Sequence, residues 1–171
     1  MGVQEDIRSA GTLGFVGSIL ALLPYVNIIG DILVLMALYK LSRAYGNRAI
    51  WRNALYALLS AFIGGLLLIP VIVGVRYIGS LIHMGLSMSS SFGVLGPIIA
   101  ITIALYVIIV ISGFFMRRTY DELGVSSGIA NFNKAAKWYW FGALLVIAIV
   151  GGVLFIVADI YAILGYNELR R

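Results

Sequence analysis

Hydrophobic positions run along this chain in long unbroken blocks, and neither the alternation of a strand nor the one-sided stripe of a soluble helix is present. From Ala10 to Tyr39 the only charge is Asp31, Ala54–Val75 carries none, and Val94–Met116 is apolar until Arg117 and Arg118. A further block opens at Trp138 and runs to about Leu164, with Asp159 as its one acid. A helix rises about 1.5 Å per residue and a bilayer core is roughly 30 Å thick, so each of these last three blocks is long enough to cross. The pattern predicts an all-α fold, a polytopic transmembrane helical bundle forming a single integral membrane domain over residues 1–171.

The first block needs a different reading. One helix over residues 9–45 would be about 55 Å long, too much for a single straight crossing. Pro24 removes a backbone donor, Asn27 and Gly30 favour turns, and Asp31 can cap the helix that follows. A short N-terminal helical hairpin is therefore expected, with helices near 6–23 and 31–45 and the turn at a membrane surface, followed by three full spans. The alternative is four spans, the first kinked at Pro24, with Asp31 left inside the membrane. Further along, Gly46-Asn47 reads as a turn, residues 76–93 as a loop lying on the membrane, and Gly124 as a helix stop.

Composition fits this picture: 62% of residues are hydrophobic and 11% charged, against about a quarter charged in soluble domains. The net charge of +5 matters through its placement. Lys40, Arg43, Arg48 and Arg52 flank one connection and Arg117, Arg118, Lys134 and Lys137 another, while Arg76 stands alone between them. Under the positive-inside rule the basic loops 43–53 and 117–137 are cytoplasmic in a cell membrane, Trp51, Trp138 and Trp140 being on the same side. With the hairpin the N-terminus is inside and the C-terminus outside; without it both termini are outside. No basic stripe interleaved with aromatics is present, so no nucleic-acid partner is expected. The absence of cysteine excludes disulfides and thiolate chemistry.

Small residues recur at four-residue spacing, at Gly14 and Ser18, Gly17 and Ala21, Ala57, Ala61 and Gly65, and Ala148 and Gly152. Such ridges let helix backbones approach closely, either inside the bundle or in a homo-oligomer or accessory-subunit interface. Residues 17–39 and 142–161 share an opening Gly, a central Gly and a closing Tyr, a weak internal similarity of the kind repeats in transporters leave. Asp31, Arg76, His83 and Asp159 form a candidate polar cluster towards the outer face, with Asp159 neutralised by Arg76 or hydrated beside it. His83, the only histidine, has no ligand partners at metal-binding spacing. No nucleophile elbow, phosphate loop or paired catalytic carboxylates are found, and no cofactor is expected.

Leu41-Ser42, Asn53-Ala54-Leu55, Tyr120 to Leu123 and Gly142-Ala143, with the Pro24-broken first block and the basic FMRRTYDELG stretch from Phe115, are packing and boundary features. In these the chain resembles archaeal membrane proteins of domain-of-unknown-function family 996 over nearly its whole length. The resemblance implies an archaeal cell-membrane location and no catalytic residues. The expected function is that of a non-enzymatic multi-pass protein, a structural or accessory component surrounded by membrane lipid and associating through small-residue helix faces. The alternative is a small oligomeric transporter or channel subunit using Asp31 and Asp159.

Overall fold

The computed structural model describes residues 2–83, 88–148 and 150–171, and between 81 and 94 the backbone alone. The described chain is helical throughout: α1 (Val3–Ala21), α2 (Asn27–Ala44), α3 (Arg48–His83), α4 (Met88–Ser127), α5 (Ala130–Leu145) and α6 (Val150–Leu169), with a 3₁₀ turn at Val146–Ala148 between the last two. Consecutive helices pair as three hairpins, α1–α2, α3–α4 and α5–α6, and contacts of α2 with α3, α4 with α5 and α1 with α6 close a ring.

The expected all-α architecture is present, with an N-terminal hairpin and three helices long and apolar enough to cross a membrane: α3, α4 and α6. Pro24 ends α1 as anticipated, and Tyr25 takes a left-handed φ of 73° to turn the chain. α2 then starts at Asn27, ahead of Asp31. Gly46, at φ 65°, supplies the predicted turn before α3.

Three boundaries differ from the sequence reading. Helix α4 runs through Gly124 to Ser127 and stops at Gly128, which holds the left-handed φ of 72°. Gly124 is instead a contact point, where an added Cβ would strike the Asn133 side chain. Residues 76–83 continue α3 and 88–93 begin α4, so most of the expected surface loop is helix, while 84–87 lie outside the described residues. The largest change concerns the last block, read as one span from Trp138 to Leu164. The chain folds back between α5 and α6, making them antiparallel partners.

That fold-back moves the C-terminus. The Arg8 Nε donates to the Arg170 carbonyl at 2.9 Å, and the Asn131 amide donates to Glu168. Arg170 therefore shares an end of the molecule with Arg8 and with the start of α5. The expected C-terminus on the face opposite the basic connections is corrected, because a hairpin returns the chain to the end it left.

The buried core lies at this same end, where Leu38, Leu41, Ile50, Tyr120, Leu123, Phe132 and Tyr166 meet. Beyond it α3 and α4 continue as a bare pair, packed on one another where Gly74 meets Ile98. Only 6% of the most apolar stretch of each is buried within the molecule. In lipid this exposure costs nothing, since hydrocarbon solvates apolar side chains as well as a protein core does.

The two short hairpins are built alike. In α1–α2 an added Cβ on Gly30 would strike the Ala21 nitrogen and the Gly17 carbonyl. In α5–α6 one on Gly151 would strike the Val146 nitrogen and the Gly142 carbonyl. Counted from Gly17 and Gly142, buried residues coincide seven before (Ala10, Ala135), six before (Gly11, Ala136) and one after (Ser18, Ala143). Counted from Gly30 and Gly151, they coincide seven and eleven after, at Ala37 and Ala158, Leu41 and Ala162. The internal similarity of residues 17–39 and 142–161 is thus a shared crossing geometry, in register at Gly151. α1 and α5 both start at the basic end, so the repeat is parallel and not inverted.

Candidate functional site

Charged and aromatic residues gather where the six helices meet. Their order in sequence, aromatic then basic, suits a membrane boundary, and folding stacks one on the other. The Arg170 guanidinium lies 3.9 Å from the centre of the Phe15 ring, Arg118 4.7 Å from Phe114, Lys134 5.5 Å from Tyr161, Arg117 5.7 Å from Trp140 and Arg43 5.9 Å from Tyr39. Such cation–π contacts contribute about 0.5–1 kcal/mol each where exposed. Between them Asn47 ties the α2–α3 connection to the end of α4. Its amide donates to Glu122 at 3.0 Å and Ser126 at 3.1 Å, its carbonyl accepts from Ala49 N at 3.0 Å, and its backbone carbonyl accepts from the Ser42 hydroxyl at 2.9 Å.

Inside this belt is a cluster of aromatic rings around one carboxylate. Tyr120 stacks on Tyr139 with ring centres 5.2 Å apart and meets Tyr166 edge-on at 6.4 Å, while Phe132 sits 5.2 Å from Tyr166. The Tyr139 hydroxyl donates to Asp159 Oδ1. The Tyr166 ring fills the space over Gly14, where any side chain would collide with it, and its buried hydroxyl has no hydrogen-bond partner among the described residues.

Asp159 is therefore held by a phenol. Arg76, its expected partner, is excluded by distance. Tyr139 and Ala143 lie against Gly113 of α4, and Ser112 beside it donates to the Ala57 carbonyl at 3.0 Å. Arg76 stands 19 residues past Ala57 on the same helix, about 28 Å further along. Asp159 belongs nearer the basic end than the outer one, because the chain reaches it on the way back from the turn between α5 and α6. Among the described residues the one ion pair is Arg117 with Asp121, at 3.4 Å and largely exposed.

Tyr139 also lines a half-open cavity of about 330 Å³ bordered by Ala61, Gly64, Leu105, Ile108, Ser112 and Phe155. Beside it a groove of about 230 Å³ is bounded by Asp31, Val34, Leu58, Ala61 and Ser112. Asp31 is exposed in the second turn of α2 and borders this groove. Of the four expected members of the polar cluster, Asp31 borders the groove, Asp159 is held by Tyr139 and Arg76 is remote. His83 is the last residue of α3 and its side chain lies outside those described. Among the described residues no three His, Asp or Glu side chains converge as metal ligands would.

The small-residue positions divide into two groups. Gly14, Gly17, Ser18 and Ala57 are buried inside the bundle. Gly65 and Gly152 have open space around them, and Ala61 and Ala148 are exposed, so these four face outward. The close approaches on those helices are made one residue earlier, at Gly64 and Gly151. Tyr139 was missed as a site residue because it lies in an aromatic run, WYWF, that reads as a boundary anchor. Its signal, a polar-tipped ring 20 residues from a lone acid, has meaning only once the turn between them is known.

These features define a class: an all-helical membrane protein of three hairpins, closed by glycine crossings and belted at one end by stacked basic and aromatic residues. Within it, the chain belongs to the family described as Protein of unknown function (DUF996), whose model matches residues 26–160. It is similar to an uncharacterized protein of Methanocaldococcus jannaschii, 31% identical over 175 residues covering 98% of this chain and 95% of the relative. No solved structure matches the chain.

Proposed function

We propose that the protein is a non-enzymatic, multi-pass structural or accessory component of the cell membrane, with its basic end in the cytoplasm. The observation that carries this reading is how its polar groups are used. Ser112 donates to Ala57, Tyr106 to Leu144, Thr119 to Phe115 and Tyr139 to Asp159. Each holds one helix turn or one helix pair, and in lipid such a bond secures a group that otherwise has no partner. The outward-facing Ala61, Gly65, Ala148 and Gly152 remain available to a neighbouring helix, of a second copy or of another membrane protein. Gentle purification from native membranes should retain such a partner in fixed stoichiometry, lost on Gly65→Leu or Gly152→Leu while the melting temperature holds. A monomer with nothing bound would count against the association.

A second reading is favoured by the groove beside Asp31 and by the cavity beside Tyr139, whose hydroxyl holds Asp159. A small oligomeric transporter or channel subunit would use the two carboxylates to lower the cost of a cation or proton inside the membrane. Liposome flux abolished by Asp31→Asn or Asp159→Asn would establish it in place of the structural role.

A further inference from the structure

The short hairpins stop far below the tips of the long one. Leu144, at the end of α5, accepts a hydrogen bond from the Tyr106 hydroxyl at 3.0 Å, and Tyr106 precedes Arg117 by 11 residues, about 17 Å of helix. On the other side Asn27 and Ile28, at the start of α2, share a groove with Phe62 and Leu66 of α3. Those positions are 10 and 14 residues past Arg52, about 15 and 21 Å along the helix. The charge-free stretch 54–75 and the part of α4 alongside it, 94–116, each span about 33 Å, the thickness of one bilayer core. Measured against them, both turns lie near the midplane.

The α5–α6 turn has the chemistry for that depth, while the α1–α2 turn brings the exposed Asn27 and Asp31 there, a polar cost that a hydrated or neutral carboxyl relieves. Residues 144–150, LLVIAIV, contain no polar side chain, and Ile147 is exposed. Val146–Ala148 form a 3₁₀ turn, whose i to i+3 bonding satisfies backbone groups within the turn itself, as a segment in hydrocarbon requires. At the other turn Pro24 brings no N–H, Leu22 and Leu23 donate back to Ile19 and Leu20 at 3.3 and 3.0 Å, and Tyr25 is 99% exposed.

We infer that α1–α2 and α5–α6 are half-depth hairpins entering from the basic side, that only α3–α4 crosses the membrane, and that the protein thereby acts as a wedge favouring membrane that is convex on its basic face. This rests on the membrane reading above and names lipid as the partner on which the protein acts. Six helices occupy the proximal leaflet and two the distal one. With helices about 10–12 Å across, the proximal cross-section is roughly three times the distal one. A flat bilayer must distort around that shape, while a membrane whose basic-side leaflet is stretched accommodates it. Midplane turns replace the surface turn expected from Pro24, Asn27 and Asp31, since α3 passes the level of Asn27 and runs on for a further half-bilayer.

The test uses the full chain in phosphatidylcholine–phosphatidylglycerol vesicles, where the absence of native cysteine makes single-cysteine variants unambiguous. With an impermeant maleimide, Arg171→Cys should label from the basic side and Ser80→Cys from the other. Tyr25→Cys and Ile147→Cys should label from neither until detergent is added. Vesicles carrying the basic end outward should show a several-fold higher protein density per unit area when small than when large. Labelling of either turn from the Ser80 side overturns the half-depth placement, and equal density on both sizes overturns the wedge. Efficient Val73→Cys dimer crosslinking also overturns it, because a second copy would then fill the distal leaflet. Release of the native chain from membranes by alkaline carbonate would overturn the underlying membrane reading instead, an outcome the labelling pattern cannot mimic.

Discussion

The hairpins α1–α2 and α5–α6 share one crossing geometry and reach it from opposite kinds of sequence. The first turn is marked by Pro24 and Asn27 and closed by the left-handed Tyr25. The second passes through an unbroken apolar run and reverses on a single 3₁₀ turn, Val146–Ala148. What the two have in common is a pair of glycines, Gly17 with Gly30 and Gly142 with Gly151, whose backbones touch. In lipid there is little hydrophobic drive for helices to associate, so close backbone packing can select a fold-back without any turn signal. The long pair α3–α4 shows the contrary case. It has Gly64 and Gly74 at its contacts, yet it continues past both short hairpins.

The comparison breaks most readily at the crossings. Gly30→Ala and Gly151→Ala each drive a methyl into backbone atoms that have no rotamer to yield, and each should cost about 3 kcal/mol by the scale of overpacking. Thermal melting in a mild detergent should show comparable losses for both. Sensitivity at only one would mean that the two hairpins are alike in shape and not in what stabilises them.

A smaller effect separates their interiors. The α5–α6 hairpin holds a polar pair, Tyr139 and Asp159, where α2 carries Leu38 eight residues past its crossing glycine as Asp159 lies eight past Gly151. Tyr139→Phe should destabilise by about 1–3 kcal/mol, the penalty for stranding a half-buried carboxylate. Asp159→Asn should cost less in that background than in the parent. Additive losses in the four-member cycle would show that the hydrogen bond contributes nothing of its own.

The turns themselves should respond with opposite signs. Tyr25→Gly removes a strained left-handed residue whose ring touches almost nothing, and should stabilise by about 1 kcal/mol. Ile147→Gly loosens a helical turn and should destabilise by about 1 kcal/mol. Equal signs in the same melting assay would indicate that the second turn is as irregular as the first. Least of all, Gly65→Ala and Gly152→Ala have open space and should stay within about 0.5 kcal/mol of the parent. A larger loss in membranes, absent in detergent, would locate a partner helix there.

Read from the sequence alone, the apolar blocks give an all-helical membrane bundle, the first block gives a hairpin because it is too long and too broken for one span, and the basic residues mark one end. Asp159 was visible as an isolated acid. Its partner was not, since Tyr139 and Asp159 become neighbours only through a turn with no polar residue in it. The spacing of small residues was visible too, but Gly64 and Gly65, or Gly151 and Gly152, fit the same ridge, and a rotation of about 100° per residue separates buried from exposed. Hydropathy thus determined which segments are apolar enough to enter lipid and roughly where polar residues bound them. Tertiary packing decided how far each goes before returning, because in hydrocarbon the choice between crossing and folding back depends on which backbones can touch, and that is set between helices rather than along them.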